Sequence, residues 1–96
     1  MLLKLGVSIE RLNREIRRAL DPVDTIYHAG GEEVVITSTF EGDHKAGSLH
    51  YSNDAFDVRM PKKNPDEVAQ GMRRRLGKDF DVVLELDHIH VEYDKK

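Results

Sequence analysis

Two short stretches, Ser48-Leu49-His50-Tyr51-Ser52-Asn53-Asp54-Ala55-Phe56-Asp57 and Asp87-His88-Ile89-His90, carry the residues most capable of chemistry. His50, Asp57 and His90 would supply two imidazoles and one carboxylate, a donor set that suits zinc. Three protein ligands leave a fourth position for water, as catalytic zinc sites do and closed structural sites do not. Asp87 stands three residues before His90, where a carboxylate can take a proton from that water. Together these positions read as a split zinc site with a built-in base.

The rest of the chain bounds that reading. Ninety-six residues make one domain, 1–96, and a chain this short buries a smaller fraction of its surface than a larger enzyme. A metal joining distant segments would add stability to so modest a core. There is no cysteine, which excludes a disulfide frame and a thiolate zinc knuckle. The net charge of -3 gives no overall pull toward nucleic acid or an anionic membrane. No apolar run is long enough to span a bilayer, and Met1 to Val7 has the wrong charge order for a secretory signal. The expectation is a monomer made in the cytoplasm, without nucleic acid or membrane insertion.

To hold its three ligands together, the chain needs a scaffold, and its patterning changes type several times. Ser8 can cap a helix running to about Leu20, ended by Asp21-Pro22, with Ile9, Leu12, Ile16, Ala19 and Leu20 as an apolar stripe. Asp24 to His28 reads as a weak first strand, and Gly30-Gly31 turns into the stronger strand Val34 to Thr39. Glu41 to Gly47 reads as a loop and Ala55 to Met60 as a strand. Asn64-Pro65-Asp66-Glu67 starts a helix that ends near Gly77. Phe80 to Tyr93 gives two strands or one bent strand. This order predicts an α+β fold, a small, largely antiparallel sheet with two helices.

The motif spacing makes geometric demands on that scaffold. His50 and Asp57 are seven apart, so on one straight strand they would face opposite ways. The backbone must reverse between them, and Ser52-Asn53-Asp54 is where it can. Alternation likewise groups His88 and His90 with Leu84 and Leu86 and puts Asp87 opposite, so Asp87 can reach His90 only if the strand bends or bulges there. Plainer explanations stand beside each of these. Asp57 could form a salt bridge to Arg59 or to a helix arginine. Asp87 could be a turn residue, with Glu85 as a rival base. Glu92 reads as a solvent-facing strand residue. The Arg11-Arg14-Arg17-Arg18 and Arg73-Arg74-Arg75 clusters are interrupted by acids and lack interleaved aromatics, so they read as solvated helix faces rather than a phosphate track.

Ser48, His50, Ala55 and Asp57, followed downstream by Asp87-x-x-His90, resemble the pattern of the D-alanyl-D-alanine carboxypeptidase and Hedgehog-type zinc peptidases (M15-like). That pattern reads Ser-x-His-x-x-Gly-x-Ala-x-Asp, and this chain departs from it at Asn53, where the family usually has Gly. Asn is the next best residue for a positive backbone dihedral. The likeness runs from about Ile36 to Asp94.

The resemblance implies zinc ligands His50, Asp57 and His90 and a base at Asp87, whose three-residue spacing from His90 favours it over Glu85. It implies His88 as a group that holds the oxyanion or orients Asp87. The substrate implied is bacterial cell-wall peptide with D-amino acids, cut by a carboxypeptidase or a phage endolysin released to the wall during lysis. Family enzymes often use an upstream arginine to steady the tetrahedral intermediate. Here no arginine lies between Arg18 and Arg59, and His44 is the candidate substitute. Ser48 is expected to support its loop by hydrogen bonding. The alternative is a zinc-binding module of the same fold that has lost catalysis and serves in recognition or structure.

Overall fold

The computed structural model describes residues 1–40 and 53–96, so the expectations placed on His44, Ser48, His50 and the 41–47 loop lie outside the described residues. The order is β1 (Leu2–Leu3), α1 (Arg14–Arg17), α2 (Leu20–Ala29), β2 (Val35–Ser38), β3 (Ala55–Arg59), α3 (Pro65–Leu76), β4 (Phe80–Leu84) and β5 (His88–Tyr93). The strands form one sheet in the order β1-β2-β3-β5-β4. Among the described residues, β1 pairs with β2 in parallel and the other pairings are antiparallel. The fold is therefore α+β with a largely antiparallel sheet, as the patterning predicts.

Period-two alternation decides which face of this sheet does what. Phe56 and Val58 of β3 and Ile89 and Val91 of β5 are fully buried, and they pack with Ile16, Leu20, Val23, Tyr27, Ala69 and Met72 from the helices. The intervening residues, Asp57, His88, His90 and Glu92, therefore share the other face. One face of the central strands is core and the other is polar.

The amino-terminal half differs from its sequence-based expectation. The helix expected over Ser8–Leu20 is only one turn, α1, and the expected strand Asp24–His28 lies inside the ten-residue α2. Pro22 explains this. It sits in the first turn of α2, where its missing N–H has no intrahelical acceptor to serve, so the residue that reads as a terminator opens the next helix. Leu20, Val23 and Tyr27 then fall on one buried stripe. Gly30 and Gly31, the latter at φ 78°, end it.

α3 starts and ends where expected, with Pro65 in its first turn, Asp66 and Glu67 beside it, and Arg73–Arg75 in its last turn. Asn64 precedes it in the left-handed region at φ 49° and makes no side-chain cap; its carbonyl accepts the Val68 N–H at 3.0 Å.

Several arginines of the two basic clusters are engaged locally, Arg18 among them, 4.0 Å from Glu15. Arg17 donates to the carbonyls of Glu10 and Leu12, Arg73 donates twice to that of Val82, and Arg11 stacks 4.5 Å over the Phe40 ring. Among the described residues, no helix is long and apolar enough to cross a membrane.

Candidate metal centre

Asp57 and His90 are direct cross-strand partners on β3 and β5, which brings two of the three expected ligands to one spot. His90 Nδ1 lies 2.9 Å from Asp57 Oδ1, and His90 Nε2 lies 2.7 Å from Glu92 Oε1. The imidazole is thus clamped between two carboxylates. Next to it, His88 Nε2 faces the other Asp57 oxygen at 3.7 Å, while His88 Nδ1 is held by Asp87 Oδ1 at 2.7 Å. Asp57 is buried, with 8% of its surface exposed. A carboxylate so placed needs partners, and two imidazoles bracket it. Neither Arg59 nor a helix arginine fills that role among the described residues.

The strand geometry behind this cluster is partly what the motifs demand. Asn53 adopts φ 66°, the left-handed conformation that the Gly-to-Asn departure requires. Its carbonyl accepts the Asn13 N–H at 3.0 Å. Asp54 is tied on both sides, by the Asn13 side chain at 2.7 Å and the Tyr93 N–H at 2.8 Å. The turn that delivers β3 is therefore anchored to α1 and β5. Replacing Asn53 with Gly should change unfolding free energy by less than about 0.5 kcal/mol, whereas Asn53→Val should cost about 1–2 kcal/mol. Denaturant titration of the two variants checks this.

The bend expected before His90 takes another form. β4 and β5 join in a hairpin closed by the Glu85 N–H donating to the His88 carbonyl at 2.9 Å, with Leu86 and Asp87 at its tip. Asp87 is thus a turn residue, free of strand alternation, and it reaches its neighbour His88. The grouping of Leu84 and Leu86 with the histidines is corrected by the same hairpin. Leu84 belongs to β4, pairs with Ile89 and packs on the core, and Leu86 is fully exposed. An irregularity does occur beside the site, but on β2, where the register shifts between Ile36 and Ser38 opposite Val58 and Asp57.

Glu92, whose place near a strand end suggests solvent, lies in the site. A metal-bound histidine characteristically gives its second N–H to a carboxylate, which fixes the tautomer and leaves the first nitrogen free to ligate. In the tautomer that gives Nε2–H to Glu92, His90 Nδ1 would turn a lone pair toward an Asp57 oxygen 2.9 Å away. Two acceptors at that distance repel unless a cation sits between them, either a proton or a metal. Zinc bonds of about 2.0–2.1 Å in a tetrahedron separate neighbouring ligand atoms by about 3.3 Å, so small shifts would admit the ion. These donors fit zinc.

The protonation of His90 follows from the same clamp. Burial pulls its pKa down, but the hydrogen bonds and negative charges of Asp57 and Glu92 outweigh burial and leave it raised above 6.5. In metal-free protein this stabilises the fold fully below the ordinary value of 6.5, and the contribution is lost as pH rises through the higher folded value. A zinc ion at that nitrogen would need it deprotonated, so binding there would strengthen over the same interval. Raising the pH from 6.5 should therefore lower the metal-free Tm of wild type relative to His90→Asn, while zinc raises the wild-type Tm by a growing margin. Paired thermal scans check both signs.

A second cluster lies one row along the same sheet face. Asp81, Glu92 and Asp94 bring one oxygen each within 4.8 Å of one another. This all-oxygen set suits hard cations better than zinc, and the Lys96 ammonium already occupies it, 3.1 Å from Asp81 and 3.7 Å from Asp94. Among the described residues of this sheet face, the imidazole donors are those of the His88–His90 row.

Comparison with known proteins agrees with the motifs. No curated protein and no solved structure matched the chain. The family model described as Peptidase M15 matches residues 4–92, a span that contains both motifs and every strand from β2 to β4. With almost the whole chain inside that match, this protein belongs to the peptidase M15 family.

Proposed function

We propose that the protein is a zinc-dependent peptidase that hydrolyses peptide bonds in the stem peptides of bacterial peptidoglycan, with His50, Asp57 and His90 as zinc ligands. The observation that carries this reading is the His90 clamp, an imidazole presented to a buried aspartate by a second carboxylate, within a chain of a peptidase family. Zinc held there would polarise the scissile carbonyl and lower the pKa of a water at its open position.

The chain's own groups then handle the protons. Asp87 accepts the proton of the attacking water as its oxygen adds to the scissile carbonyl, then passes that proton to the amine nitrogen, so that the C–N bond breaks as the carbonyl re-forms. His88, bonded to Asp87 through Nδ1 and facing Asp57 through Nε2, keeps that carboxylate directed at the reacting atoms. Glu92 holds the His90 ring in the ligating orientation. His44 is the proposed donor to the developing oxyanion.

Incubating the zinc-loaded protein with purified wall peptides, with and without chelator, tests the proposal. Mass spectrometry should show chelator-sensitive cleavage next to a D-amino acid. Zinc bound in stoichiometric amount without any cleavage would instead mark a non-catalytic zinc-binding module.

A further inference from the structure

We propose that Arg59 binds the free carboxylate at the C-terminal end of the substrate peptide, which makes the protein an exopeptidase; this rests on the peptidase reading above. Arg59 follows Asp57 by two positions on β3, so the two residues lie on the same sheet face, and it pairs across strands with His88. Two strand residues span about 6.6 Å, and an extended substrate advances about 3.5 Å per residue. A peptide whose scissile carbonyl lies at Asp57 and His90 therefore brings a carboxylate one or two residues further on to the guanidinium of Arg59.

The charge around Arg59 suits that role. At this end of β3 a cleft of about 290 Å³, separate from Asp57, His88 and His90, is lined by Arg59 with Tyr27, Glu32, Glu33, Lys62 and Lys63. Both acids there have partners. Glu33 holds the N-terminal ammonium at 2.6 Å, and Glu32 accepts the Lys62 backbone N–H at 2.9 Å. The cations do not. Arg59, Lys62 and Lys63 are exposed, and among the described residues none of their side chains forms an ion pair. The Arg59 backbone is fixed because its carbonyl accepts the Tyr27 hydroxyl from α2. An exposed guanidinium on an anchored stretch of backbone, close to two further cations, suits a carboxylate, which arginine can hold through two parallel hydrogen bonds.

The test compares an N-acetylated peptide ending in D-alanyl-D-alanine with the same peptide capped as its C-terminal amide. kcat/KM is read on zinc-loaded wild type, Arg59→Gln and Arg59→Lys. Affinity for the two peptides is read by NMR titration in Asp57→Asn, alone and combined with Arg59→Gln, where turnover is not needed. Wild type should favour the free carboxylate by about 10- to 100-fold, the value of a charge-assisted pair. Arg59→Gln should bring that ratio near one in both assays, and Arg59→Lys should keep part of it. A wild-type ratio near one, or a ratio that survives Arg59→Gln, overturns the proposal. Failure of either peptide to be cleaved, with the affinity ratio still dependent on Arg59, would strike the peptidase reading while supporting the carboxylate anchor.

Discussion

Asp57→Ala should yield a protein that emerges from gel filtration without zinc and cleaves wall peptides at least about 10³-fold more slowly than wild type, because a catalytic metal supplies several kcal/mol of transition-state stabilisation. Asp57 is the centre of the cluster, with one oxygen on His90 Nδ1 at 2.9 Å and the other facing His88 Nε2 at 3.7 Å. Its removal also leaves the half-buried His90 ring without one of its partners. The metal-free variant should lose about 1–3 kcal/mol of stability on that account. Elemental analysis, cleavage rates and denaturant titration together read the effect. A variant that keeps stoichiometric zinc would show that Asp57 is held for structure, by its two imidazoles, and not for the metal.

The second large effect separates proton transfer from metal binding. Asp87→Ala should retain zinc yet lose about 10²–10⁴-fold in kcat, the usual worth of a positioned acid–base group. Asp87 lies at the hairpin tip with its carboxylate on His88 Nδ1 at 2.7 Å, and its side chain is 86% exposed, so its removal disturbs no packing. Because Asp87 and His88 are bonded, they should act as one unit. His88→Ala should fall in the same range, and the double variant should be little worse than either single one. Additive losses would mean that the two residues serve separate steps. Loss of zinc in Asp87→Ala would remove the argument that it is a base.

Much of this arrangement is legible in the residues because the motifs are local and the sheet is regular. Ser48 to Asp57 and Asp87 to His90 each contain a geometric conflict; the described residues resolve the second, while His50 of the first lies outside them. Asn53 in the left-handed region turns the chain into β3, and the β4–β5 hairpin releases Asp87 from strand alternation. The Asp57–His90 pairing itself is a matter of register, which alternation suggests but only the folded sheet decides.

Other features were hidden for identifiable reasons. Pro22 after Asp21 has the same local signature whether it ends one helix or opens the next, and the choice was made by burial of Leu20, Val23 and Tyr27. β1 is two exposed leucines whose strand character comes wholly from pairing with Val35 and Ile36. Glu92 carried a usable signal, since period two puts it on one face with His88 and His90. A charged residue near a strand end reads as solvated until the imidazole beside it is seen to need a carboxylate.

The central claim is that two imidazoles and Asp57 hold a single zinc ion with one open position. Diffraction at the zinc absorption edge from crystals grown with the metal tests it most directly. The account predicts one strong anomalous peak within bonding distance of His50, Asp57 Oδ1 and His90 Nδ1, with a water as the remaining ligand. A peak at Asp81, Glu92 and Asp94 instead, or an ion closed in by four protein ligands, would contradict it.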